Sequence, residues 1–151
     1  MLSAIRFKFI DIEQIWKRLF TKPAYSVEES TLVFKSLLED IEDEMKKGTS
    51  AILVEGVLAS ENRTHSLIML SKAYGYKFFC LRLITDLNTA IERNIKRNLD
   101  SDKNISPNAL TSLNSKLMNN SLVTHTIDTT YRTTDQVFEQ LKEIDILNNG
   151  E

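Results

Sequence analysis

Two kinds of side chain stand where phosphate chemistry would need them: carboxylates just after short apolar runs, and arginines one helical turn apart. Asp11-Ile12-Glu13 follows an aromatic-rich run ending at Ile10, and Glu55-Gly56 follows Ala51-Ile52-Leu53-Val54. A carboxylate at the carboxyl end of a strand can take a proton as general base or hold magnesium through water. It can equally serve the fold, with Asp11 capping a helix and Glu13 facing the positive helix end. Glu55 could order magnesium or a substrate hydroxyl, or be a solvated acid in a tight turn. Gly56 lets another group approach the backbone closely. Arg93 and Arg97 lie four residues apart, so their guanidinium groups reach one region. With Lys96 between them they suit a phosphate chain whose charge must be neutralised during transfer. The competing reading is a solvated helix face with Glu92 and Lys96 as an ion pair.

Alternating elements position these residues. Arg6–Ile10 reads as a strand with Phe7 and Phe9 on one face, and Glu13–Phe20 has Ile15, Trp16, Leu19 and Phe20 at helical spacing. Lys22-Pro23-Ala24-Tyr25 breaks that helix. Ser26-Val27-Glu28-Glu29 predicts a capping box, with Val33, Phe34, Leu37, Leu38, Ile41 and Met45 on one face and a stop at Gly48. Ala51–Val54 predicts a strand buried on both faces. A helix over about 60–74, a strand over 77–83 and a helix from the cap Asp86 to about Asn98 follow. A polar loop over 99–106, a helix from Pro107 to about Met118 and a strand over 122–127 come next. The last predicted helix, capped by Thr133 or Thr134, turns Val137, Phe138, Leu141 and Ile144 inward. Strand and helix alternating at this spacing predict a three-layer α/β/α architecture around a mostly parallel sheet. Ligands bind beyond the carboxyl ends of such strands, which directs attention to 11–13, 55–58, 84–86 and 128–130.

Composition narrows the classes. The 151 residues are 42% hydrophobic and 26% charged, as in an ordinary globular chain, and fit one domain spanning 1–151. A net charge of −2 argues against a protein that grips nucleic acid by overall charge. The single cysteine, Cys80, excludes an internal disulfide and reads as a structural thiol in an apolar run. His65 and His125 lie too far apart in sequence to suggest a metal pair, so no metal site is expected. No stretch approaches the ~20 apolar residues of a membrane span, and the N-terminus lacks signal-peptide features. The expected compartment is the cytoplasm.

Taken in order, several blocks resemble the P-loop kinases related to polynucleotide kinase, zeta toxins and small-metabolite kinases. Glu13-Gln14-Ile15-Trp16-Lys17-Arg18-Leu19-Phe20 is similar to the family's D-E-I-R-K-x-L-F, with glutamate for aspartate and Trp16 where arginine is frequent. Tyr25-Ser26, Gly48 and the strand ending at Glu55 follow its pattern, as do Arg63 and Gly75-Tyr76-Lys77. Thr85-Asp86 and Glu92-Arg93-Asn94-Ile95-Lys96-Arg97-Asn98 resemble its lid, and Ile127-Asp128-Thr129-Thr130 its final strand. The likeness covers about residues 5–147.

The resemblance implies that Glu13 stands in the place of the catalytic base and that Arg93 and Arg97 contact the transferred phosphate. It places Asp11, Glu55 and Arg63 on the acceptor side, and Lys96, Asp128, Thr129 and Thr130 beside the nucleotide. ATP and Mg2+ would be bound, and the acceptor would be a nucleic-acid 5′ end or a small alcohol. The family's phosphate loop, G-x-x-x-x-G-K-[ST], is begun by none of Gly48, Gly56, Gly75 or Gly150. Measured against the family, its first strand-loop-helix unit is missing, roughly thirty residues, with Leu2–Ile5 as the last turn of its helix. A truncated product, a natural relic and a unit supplied by a partner all remain open. The implied open sheet edge would invite self-association or a partner chain. An inactive relic acting as a binding or assembly module is the alternative to a kinase.

Overall fold

Polar caps and glycine stops set the helices of this computed structural model, which describes residues 6–58, 60–98 and 105–144. The readings made for residues 1–5 and 99–104 lie outside the described residues. The order is β1 (Phe7–Asp11), α1 (Ile12–Leu19), α2 (Val27–Lys46), β2 (Ala51–Glu55) and α3 (Glu61–Ala73). Then follow β3 (Leu81–Ile84), α4 (Leu87–Asn98), α5 (Pro107–Met118), β4 (His125–Asp128) and α6 (Thr134–Glu143). The predicted caps Asp11 and Asp86 each take a first-turn N–H, and so does Ser106, which the sequence alone reads as the end of a polar loop. Asp11 accepts from Glu13 at 2.8 Å, Asp86 from Thr89 at 3.0 Å and Ser106 from Ala109 at 3.1 Å. Thr133 and Gln136 form a reciprocal capping box. At Ser26 only the hydroxyl half of the expected box is made: Ser26 Oγ accepts from the Glu29 N–H, while Glu29 Oε2 is buried with no hydrogen-bond partner. Gly48, at φ +73°, takes the left-handed turn that closes α2.

The described strands pair in parallel, as two two-stranded sheets rather than one. β1 pairs with β2 from Phe7↔Ala51 to Asp11↔Glu55, and β3 with β4 from Leu81↔His125 to Ile84↔Asp128. Each pair belongs to one of two compact units, the first drawn from residues 1–58 and 62–76, the second from 59–61 and 77–151.

In the first unit α2 presents Val33, Leu37, Ile41 and Met45, spaced four apart, as a buried stripe. Ile10 of β1, Ile15 of α1 and Leu67 of α3 are buried in the same unit. In the second unit Ile127 is the one buried apolar side chain among the described residues.

Three expectations are corrected. Burial of β2 on both faces does not hold: Ile52 and Val54 are half-buried, but Leu53 is 52% exposed, since none of the described elements covers its face enough to shield it. The strand expected over 77–83 begins at Leu81, because the Cys80 N–H is taken by the Thr124 hydroxyl at 2.8 Å instead of a strand carbonyl. Phe138 is exposed rather than inward, with the Lys142 ammonium 4.9 Å from its ring centroid. No helix among the described residues is long and apolar enough to cross a membrane.

Candidate functional site

The sequence-predicted residues fall into two groups, one in each unit, with the acidic residues and threonines at or just past carboxyl ends of parallel strands and the basic residues on α3 and α4.

In the first unit the register sets Asp11 directly beside Glu55, about 4.8 Å apart along the hydrogen-bonding direction. Asp11 is occupied as the cap of α1: Oδ1 accepts from the Glu13 N–H, and Gln14 Nε2 donates to Oδ2 at 3.5 Å. Glu55 is exposed and Glu13 half-buried in the first turn of α1. The group that approaches the backbone at Gly56 is Ile12, whose side chain lies where a Cβ on Gly56 would have to go. Arg63 is braced against α2: its Nη1 donates to Ser30 Oγ at 2.8 Å, and its guanidinium sits 5.1 Å from the Phe34 ring centroid. The sequence reading placed Phe34 on the apolar face of α2 and did not name Ser30. Their spacing on α2 was legible, but their pairing with position 63 depends on how the helices pack.

In the second unit the loop after β4 is knitted to the end of β3. Thr129 N–H and hydroxyl both donate to the Ile84 carbonyl, at 2.7 and 3.0 Å. Asp128 Oδ1 accepts from the Thr130 N–H at 2.9 Å and from its hydroxyl at 2.6 Å. The Asp86 N–H donates to Thr130 Oγ1 at 3.0 Å. The Thr130 hydroxyl, then its N–H, holds the Asp128 carboxyl below the ordinary aspartate range, and Thr89 does the same for Asp86. Both are therefore anions at neutral pH.

Arg93 spans this loop. Its Nη2 donates to the carbonyls of Thr129 and Thr130 at 3.0 and 3.3 Å, and its Nη1 to Thr129 Oγ1 at 3.4 Å. Arg93, Asp128, Thr129 and Thr130 are thus brought together. Lys96 and Arg97 lie on the exposed part of α4, and Glu92 and Lys96 form no ion pair. An Arg93→Ala change removes three hydrogen bonds while leaving the cap of α4 in place. It should weaken the loop by about 1 kcal/mol, read as roughly fivefold faster amide exchange at Thr129 with little change at Ile41.

A cleft of about 790 Å³ opens beside this loop, lined by Asp128, Tyr131, Arg132, Asp135 and Glu139 among others. Its carboxylates outnumber its one arginine, so it favours a neutral or cationic group over a polyphosphate. The signal was in the sequence, as acids at 135, 139 and 143 one helical turn apart following Asp128. Among the described residues no group of histidine, cysteine or acidic side chains is arranged to hold a metal ion.

No family model matches the sequence, and no curated protein matches it. Among solved structures, the tunicamycin resistance protein of Deinococcus radiodurans has a similar fold, with a TM-score of 0.64 over 91% of this chain and 80% of that one. The two sequences are 20% identical, so the likeness is one of fold.

Proposed function

We propose that this chain is a P-loop-kinase-like phosphotransferase that moves the γ-phosphate of ATP–Mg2+ to a hydroxyl acceptor. The observation that carries the reading is the placement of Asp11, Glu13, Glu55, Asp128, Thr129 and Thr130 at or just past carboxyl ends of parallel strands, in a fold shared with a tunicamycin resistance protein. Substrates of open α/β folds bind there because the strand ends leave room for loops and helix N-termini.

In this reading Glu13 accepts the proton of the attacking hydroxyl, and Arg63 steadies the acceptor. Arg97 neutralises charge that builds on the phosphoryl group in flight, and Lys96 lies beside the nucleotide. Arg93 acts as a positioning residue, because its guanidinium is engaged with the loop at Thr129 and Thr130. That loop, with Asp128, receives the nucleoside end of ATP, where a carboxylate accepts hydrogen bonds without opposing a phosphate. Since the sequence has no G-x-x-x-x-G-K-[ST], the phosphates depend on these side chains or on a loop brought by another chain.

A second reading has its own observation. Among the described residues β1 and β2 pair only with each other, and Phe7, Phe9 and Leu53 are exposed on them. An inactive binding or assembly module that pairs with a second copy or a partner chain would use such edges.

Calorimetry with ATP–Mg2+, followed by γ-phosphate transfer assays, separates the two. The phosphotransferase reading expects saturable binding that falls about tenfold in Arg97→Ala, as for one charge-assisted contact. Absence of both binding and transfer, with or without an added phosphate-loop segment, would sink it in favour of the module.

A further inference from the structure

Only alternate residues of β1 hydrogen-bond to β2. The Arg6 carbonyl accepts from the Ala51 N–H at 3.2 Å, and Phe7 lies beside Ala51 in the parallel register. Backbone groups alternate sides along a paired strand, so positions 6, 8 and 10 face β2. Phe7 and Phe9 therefore turn their N–H and carbonyl groups, and Asp11 its N–H, to the other side. Among the described residues β1 pairs with β2 alone. Phe7 and Phe9 are also 61% and 49% exposed. A strand edge presenting donors, acceptors and aromatic rings is a template for another strand.

A lysine on such an edge normally opposes pairing, and Lys8 stands on this one. Its surroundings remove the obstacle. A cleft of about 600 Å³ lies against the strand, lined by Lys8, Phe9 and Ile10 together with Asp40, Asp43 and Glu44 of α2. Arg18 engages Asp40 at 2.9 Å, and Lys47 engages Glu44 at 3.0 Å. Asp43 and Lys8 have no salt bridge among the described residues. An ammonium arriving on an added strand would meet the Asp43 carboxylate, and β1 offers the same ammonium in return. That reciprocity singles out a second copy of this chain as the occupant.

We propose that β1 pairs antiparallel with β1 of a second copy, about a two-fold axis at Phe9. This register sets Phe9 against Phe9 of the second copy and Phe7 against its Asp11, so outward-facing backbone groups meet. Lys8 then lies opposite Ile10 of the second copy, over the cleft that Asp43 lines. Centring the axis on Lys8 would set two ammonium groups directly opposite each other, which is destabilising. The contact is isologous, so growth through this edge stops at a dimer. The interface rests on neither functional reading. A monomer would remove it and leave ATP binding and transfer to their own assays.

Sedimentation equilibrium of the full chain over a dilution series should show monomer and dimer exchanging, with no larger species. Amide exchange should slow at Phe7 and Phe9 as concentration rises, and stay constant at Lys8 and Ile10, which bond β2 throughout. Phe9→Pro removes an outward N–H and no bond to β2, and proline is tolerated on an edge strand. It should melt close to the parent and weaken dimerisation about tenfold or more. Phe9→Lys makes the same test at an exposed side chain without touching the backbone. Lys8→Glu and Asp43→Lys should each weaken dimerisation about tenfold alone. Mixing those two chains should restore the parent's affinity, because each altered charge then finds its opposite across the axis. Leu53→Lys, on β2, should change nothing. The proposal is overturned if the chain stays monomeric at every concentration or grows past a dimer. It is equally overturned if the dimer survives Phe9→Pro and Phe9→Lys unchanged, if Leu53→Lys dissolves it, or if mixing the charge variants restores nothing.

Discussion

Replacing Leu37 with alanine is expected to lower the unfolding free energy by about 3 kcal/mol, within the ~2–5 kcal/mol span of buried leucine truncations. Leu37 has 0% of its surface exposed and lies in the buried stripe of α2 between Val33 and Ile41. Ile10 and Ile15 are buried in the same unit. Such close surroundings cannot collapse onto the vacated volume without moving a helix, so most of the cavity term persists. A domain of this size commands only ~5–15 kcal/mol in total, so the urea midpoint should fall visibly, followed through Trp16 emission. Leu32 lies five residues earlier on the same helix and is 53% exposed. Leu32→Ala should change stability by less than about 0.5 kcal/mol. Equal losses at the two positions would show that the α2 stripe is not the centre of this core.

What the sequence revealed and what it hid divide along a physical line. Helix starts were legible because a cap is a local bargain: Asp11, Asp86 and Thr133 each satisfy an N–H two or three residues ahead, and Pro107 marked the start of α5 by its fixed backbone. The stripe of α2 was legible for the same reason, since four-residue spacing is written in the chain. Strand limits were not. β3 starts at Leu81 because Thr124, forty-four residues away, supplies a hydroxyl to Cys80, and no local pattern encodes that. The exposure of Leu53 and Phe138 depends likewise on what packs against them.

The candidate site shows the same division. Charge and spacing picked out Arg93, but its partners at Thr129 and Thr130 include backbone carbonyls, which every residue carries and no sequence distinguishes. Tyr25 was read as part of a helix break, yet its left-handed backbone runs against residue preference. Such a departure is visible only in three dimensions, and it marks where local preference gave way to another demand.

Gly56→Ala should destabilise the first unit by about 2–4 kcal/mol, combining overpacking of ~1–3 kcal/mol with backbone strain of similar size. Gly56 has φ +154°, and an added Cβ would lie 2.6 Å from Ile12 Cδ1, 2.8 Å from Ile12 Cβ and 2.9 Å from Cγ1. The terminal methyl could rotate away, but the Ile12 Cβ is fixed to its own backbone. Relief therefore requires the start of α1 to shift, and with it Asp11 and Glu13. Gly48 provides the control: its φ is +73°, but nothing lies within 4 Å of the added carbon, so Gly48→Ala should cost about 1 kcal/mol. Adding Ile12→Ala to Gly56→Ala removes Cγ1 and Cδ1 but keeps the Cβ clash and the strained φ, so a double-mutant cycle should show partial coupling of about 1 kcal/mol. Strict additivity in that cycle would mean that Ile12 does not press on Gly56. Under the phosphotransferase reading, Gly56→Ala should also cut transfer more than it cuts ATP affinity, since the residue it displaces is Glu13.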